Sequence, residues 1–138
     1  MASNEARAHF TLAGYHLDPD VVTKHLGIQP TSVDASGARS DLNKPVLSSW
    51  ELSTATVTDI TDVYKLTDEL IKKLEPVKDK ILEICKSHNL SPRLNLILVL
   101  SIDKAESVPE VGFGARTVRF LADLGAFINV DYQLSQRV

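Results

Sequence analysis

Apolar and polar residues alternate along this chain with a period of two in four stretches. In residues 9–17, Phe10, Leu12, Gly14 and His16 fall on one side and Thr11, Ala13, Tyr15 and Leu17 on the other. That imperfect alternation predicts a strand covered partly on both faces. Residues 49–56 set Trp50, Leu52 and Thr54 against Glu51, Ser53 and Ala55, which predicts a half-buried strand with its large residues inward. Residues 93–103 carry Leu94, Leu96, Leu98 and Leu100 on one face and Ile97, Val99 and Ser101 on the other; apolar residues on both faces predict a central strand. Residues 126–134 alternate Phe127, Asn129, Asp131 and Gln133 with Ile128, Val130, Tyr132 and Leu134.

Between the strands the period is helical. Asp18 is a good N-cap, Pro19 fits the first helical position, and Asp20 complements the helix dipole. Gly27 then stands where a left-handed residue stops a helix, and Pro30 prevents its resumption, which bounds a helix at residues 19–26. Thr58 or Asp59 opens a longer segment lined by Ile60, Val63, Tyr64, Leu70, Ile71 and Leu74. Pro76 kinks or breaks it, and a second part carries Val77, Ile81, Leu82, Ile84 and Cys85 to an end near His88 and Asn89. Residues 115–124 form a third helix with Val118, Leu121, Ala122 and Leu124 inward and Gly125 as its stop.

The predicted order is β-α-β-α(kinked)-β-α-β. It predicts an α+β single domain over residues 1–138, with about four strands in a mixed sheet and helices packed mainly on one face. Residues 1–7 are expected to be flexible. Residues 29–48 show little periodicity and read as a long loop, a length that is uncommon in a compact domain unless the loop has work to do.

Composition changes this picture little. Of the 138 residues, 43% are hydrophobic and 24% charged, which excludes a disordered chain. The formal net charge is −3. A nucleic-acid binder needs a basic surplus to neutralise phosphates, so the charge argues against that partner and favours a protein partner with a basic surface. The single cysteine, Cys85, cannot form an internal disulfide. The first ten residues hold no apolar leader, and the longest apolar run, Leu96–Leu100, is too short for a bilayer. A cytoplasmic protein without membrane attachment is expected.

No group of residues makes a catalytic site. His9, His16, His25 and His88 lack the close spacing of a zinc site, and no cofactor or metal is expected. Cys85 and His88 are i, i+3 neighbours, but Cys85 falls on an apolar helix side, where a thiol behaves as a small hydrophobe. Gly112-Phe113-Gly114 precedes a helix bearing Arg116 and Arg119 but lacks the remaining elements of either phosphate fingerprint. The carboxylate pairs Asp18/Asp20 and Asp59/Asp62 are explained by helix starts. Asp131, in an otherwise apolar strand, is expected to point outward, because a lone buried carboxylate is costly. Trp50, Tyr15 and Tyr132 read as core residues with a polar handle at the rim.

Several segments together resemble a known family. They are Phe10-Thr11-Leu12-Ala13-Gly14 with Leu17-Asp18-Pro19, then Leu26-Gly27-Ile28-Gln29-Pro30-Thr31, Gly37, and Trp50-Glu51-Leu52. They continue in the helix end Leu74-Glu75-Pro76 and the closing run from Leu121 through Gly125 to Tyr132. In this order they resemble the bacterial domain-of-unknown-function family four-two-seven-nine, across about residues 8–134. The resemblance implies a small bacterial α+β protein and brings no activity with it.

Three functions follow as expectations. The first is a non-catalytic protein-binding module, in its narrower form an immunity-type protein neutralising a toxin. The second is a small-molecule binder or minor enzyme with a site near the 29–48 loop, built from Arg39, Trp50, Arg116 and Asp131. The third is a self-assembling domain, most simply a homodimer joined at edge strands.

Overall fold

Local chemistry sets the helix ends. In the computed structural model, which describes residues 4–39, 46–58, 63–101 and 109–135, α1 spans Pro19–Leu26. The Asp18 carboxylate accepts the Asp20 N–H at 3.0 Å, and Gly27 stops the helix at φ 69° with its N–H donated to the Thr23 carbonyl. α2 (Tyr64–Leu74) and α3 (Lys78–His88) form one run interrupted by a 3-10 turn at Glu75–Val77, the kink expected at Pro76. Asn89, at φ 53°, closes α3. α4 covers Ala115–Leu124 and ends at a left-handed Gly125.

The strands are β1 (Glu5–Tyr15), β2 (Ser32–Asp34), β3 (Leu47–Ser53), β4 (Val57–Thr58), β5 (Ser91–Ser101) and β6 (Phe127–Ser135). They form one sheet in the order β2-β3-β1-β5-β6, with β4 also pairing with β1. β1 is antiparallel to β3 and β5, while β5 and β6 run parallel. The α+β class is as expected; among the described residues the sheet has six strands rather than about four, and the order gains β2 and β4. These two have three and two residues, too few for a period-two pattern to stand out.

Other boundaries shift. β1 starts at Glu5, so residues 5–7 join the strand rather than a flexible start. The stretch expected as a loop at 29–48 contains β2, a 3-10 turn at Ser36–Arg39 and the first residues of β3. Residues 1–3 and 40–45 lie outside the described residues. So do Asp59, Ile60 and Asp62, from the expected helix start, and Thr58 belongs to β4 instead.

The core lies between one face of the sheet and the four described helices. Phe10 and Leu12 of β1, Trp50 of β3, and Leu94, Leu96 and Leu98 of β5 meet Val22 and Leu26 of α1, Leu70, Ile71 and Leu74 of α2, Ile81 and Ile84 of α3, and Phe120, Leu121 and Leu124 of α4. Phe10 and Phe120 touch edge to face at 6.2 Å between ring centres. Val118 and Ala122, expected inward, are exposed; α4 buries Thr117, Phe120, Leu121 and Leu124 instead. Among the described residues no helix covers the opposite face, and Ile97 and Val99 on it stand apart from the core cluster. Among the described residues no helix is long and apolar enough to cross a membrane.

Candidate functional site

Strand register arranges the uncovered face in rows. Ser32, Glu51, Thr11, Arg93 and Phe127 form one row across five strands. Ser53, His9, Asn95 and Asn129 form the next, and Arg7, Ile97 and Asp131 the one beyond.

The rows bring together a polar network. The Thr11 hydroxyl donates to Glu51 Oε1 at 3.2 Å, and the Ser32 hydroxyl to Oε2 at 3.0 Å. Arg7 Nε donates to His9 Nε2 at 3.1 Å, which assigns Nε2 as acceptor and places the ring proton of neutral His9 on Nδ1. Nδ1 lies 2.5 Å from Ser53 Oγ and 3.5 Å from Glu51 Oε2. Burial lowers the His9 pKa; the Glu51 carboxylate opposes that shift and Arg7 adds to it.

Serine, histidine and glutamate are residue types of a hydrolytic triad, but their arrangement here is different. A triad needs its acid on one ring nitrogen and its nucleophile on the other. Here Ser53 and Glu51 both meet Nδ1, and Nε2 is taken by Arg7. The network therefore ties β1 to β3 rather than activating Ser53. Sequence reasoning missed it because His9 and Ser53 are 44 residues apart. The available signal was their shared outward parity, which acquires meaning only once the register is known.

The four expected ligand residues do not converge. Trp50 is fully buried and donates Nε1–H to Thr23 Oγ1 at 3.1 Å. Asp131 points outward on the uncovered face, as expected. Arg116 pairs with Glu75 across α4 and the α2–α3 turn. Arg39 ends the 3-10 turn, and its side chain lies outside the described residues. Tyr15 and Tyr132, expected in the core, are both exposed.

A cleft of about 160 Å³ beside Arg116 is lined by Glu75, Lys78, Arg119, Phe120 and Asp123. Its charges are largely spent on each other: Lys78 meets Asp123 at 3.0 Å, and Arg116 meets Glu75. At the start of α4 a Gly114 Cβ would stand 3.4 Å from an Asp68 oxygen, and Thr117 Oγ1 donates to Asp68 at 2.8 Å. A carboxylate thus fronts the turn that was compared with a phosphate cradle. Burial raises the Cys85 thiol to about 11, so it stays protonated at neutral pH, while His88 Nδ1 lies 2.9 Å from Ser87 Oγ. Among the described residues no group of three or more His, Cys, Asp or Glu could hold a metal.

What remains is the sheet edge. Among the described strands β6 pairs only with β5, leaving nine residues of backbone along its other side. Phe127 is 59% exposed, Ile128 39%, Tyr132 57% and Leu134 74%. Edge strands are commonly blunted by shortness, lysine, proline or a bulge. The opposite edge, β2, has only three residues, whereas β6 is long and has Asp131 as its only charged residue.

Residues 4–135 match the sequence profile of DUF4279, a domain of unknown function. The chain belongs to this family. No curated protein and no solved structure matches it. In this DUF4279 domain several residues that carried the resemblance, Asp18, Pro19, Gly27 and Gly125, act in capping and helix termination. The run ending at Tyr132 supplies the exposed edge.

Proposed function

We propose that this DUF4279 domain is a non-catalytic protein-binding module that accepts a partner strand along β6. The observation that carries this reading is a nine-residue edge strand with four large apolar side chains exposed. An added strand would satisfy its free backbone groups, and the apolar side chains would supply the specificity. Recognition on the strand itself would be apolar, so the basic surface favoured by a net charge of −3 is needed only at the rim of a partner. An immunity-type role is one narrower form of this activity. The lone unpaired Cys85 suits a reducing cytoplasm. A small-molecule site has less support, because the cleft is about 160 Å³ against roughly 300–1,000 Å³ for ligand pockets.

The test compares capture by the wild-type protein with capture by a Tyr132→Lys, Leu134→Lys variant in the native host, across a salt series. Both side chains are exposed, so the variant should fold. A partner held by the wild type and lost by the variant is expected. Equal capture by the two would overturn the reading.

A further inference from the structure

β6 is complementary to itself. When two copies of a strand pair antiparallel about an axis normal to the sheet, each face continues into the same face only if residues of equal parity oppose one another. Centring the axis on Asp131 would set two aspartates directly opposite, which is unfavourable. Centring it on Tyr132 pairs that residue with itself and leaves Phe127 and Ile128 uncovered. Centring it on Val130 opposes Ile128 to Tyr132, Asn129 to Asp131 and Phe127 to Gln133. This register covers three of the four exposed apolar residues of β6. It forms aromatic–β-branched pairs on the helix side, and it gives each Asp131 carboxylate an amide donor on the other side.

α4 points the same way. At about 100° per residue, its Arg116 and Asp123 flank meets Glu75 and Lys78 of the α2–α3 run. Val118 lies on the other flank and is exposed. The helix that connects β5 to β6 therefore leaves an apolar side chain uncovered on the flank turned away from the α2–α3 run.

We propose that the occupant of the β6 edge is a second copy of this chain, paired antiparallel through β6 about a two-fold axis at Val130. The two sheets become one, the helices of both copies line the same side, and the Val118 flanks of the two α4 helices turn toward each other above the joined strands. This rests on the protein-binding reading of β6 and names its partner.

Mass measured by light scattering over roughly 1 to 100 μM, the range of a moderate association, should approach that of a dimer. Asn129→Asp opposes two carboxylates at each of two symmetric positions and should weaken the dimer about tenfold at low salt. Asn129→Lys opposes unlike charges and should leave it unchanged or tighter. Asn129 is exposed, so both variants should fold, which circular dichroism checks. Under mild oxidation Val130→Cys should give a disulfide-linked dimer, because only a residue at the axis meets its own copy.

A dimer that the two Asn129 variants weaken equally would overturn the inference. So would a wild-type protein that stays monomeric throughout. A monomer that still captures another protein through β6 would overturn the second copy while leaving the protein-binding reading intact. A monomer without any β6-dependent partner would overturn both.

Discussion

Trp50 Nε1 donates to Thr23 Oγ1 at 3.1 Å, joining the middle of β3 to α1 across a fully buried indole. Thr23 is half-buried in α1, and its hydroxyl also lies 3.4 Å from the Pro19 carbonyl. Replacing Thr23 by Val leaves the indole N–H buried without a partner, at a cost of about 1–3 kcal/mol. Replacing Trp50 by Phe removes the donor and part of the packing, at a cost of about 1–3 kcal/mol. In the Trp50→Phe background Thr23→Val should cost much less, because no donor is left stranded. Denaturant unfolding of the four proteins in a double-mutant cycle tests this. Additive effects would show that the hydrogen bond contributes nothing.

His9 should make the fold acid-sensitive. Burial lowers its pKa from 6.5 in the folded state. Between that lowered value and 6.5 the unfolded chain binds more protons than the folded one, so stability falls as pH falls. The contribution is fully present above 6.5, declines below it and is lost once pH passes below the folded value. Protonation would also set a second positive charge against Arg7 and remove the acceptor that Arg7 uses. Unfolding free energy measured at pH 7.5 and 5.5 should fall more in the wild type than in His9→Gln. An equal fall in the two proteins would remove His9 as the cause.

Features governed by neighbouring residues were legible in the sequence. Asp18-Pro19 and Gly27 bounded α1, Gly125 ended α4 and Pro76 marked the kink, because capping and ring geometry act over a few residues. The alternation of β6 was legible too, although nothing in it revealed that the strand lies at an edge. What escaped depends on register or on very short elements. The contact between His9 and Ser53 exists only once β1 and β3 are aligned. Val118 was assigned inward from hydrophobicity alone, yet the buried face of α4 centres on Thr117, Phe120, Leu121 and Leu124. The proposed ligand group of Arg39, Trp50, Arg116 and Asp131 assumed a pocket. The structure separates a core indole, an ion-paired guanidinium and a surface carboxylate.

Cys85 should behave as a packing residue. With its pKa pushed up to about 11 by burial, roughly one thiol in four thousand is ionised at pH 7.4, and the thiolate is the reactive form. A thiol-specific disulfide reagent should react slowly with the folded protein and rapidly in denaturant. Cys85→Ala should leave β6-dependent binding unchanged. Rapid labelling of the native protein at neutral pH would show that the thiol is accessible and activated.

Gly125 couples the end of α4 to the start of β6. It sits at φ 64°; its N–H donates to the Ala122 carbonyl at 3.0 Å, and the Ala126 N–H reaches the Leu121 carbonyl at 2.9 Å. Beyond Gly125 and its two chain neighbours, no heavy atom lies within 4 Å of where a Cβ would stand, so substitution there meets conformational strain and no clash with a packed neighbour. Gly125→Ala should therefore destabilise the fold by about 1 kcal/mol. Gly125→Asn should cost less, because asparagine tolerates the left-handed region better. Thermal or urea unfolding ranks the three proteins, with the order Gly, Asn, Ala expected. An alanine variant as stable as the wild type would mean that the turn relaxes out of the left-handed region. In that case the launch angle of β6, and the register of any strand added to it, would be expected to change with it.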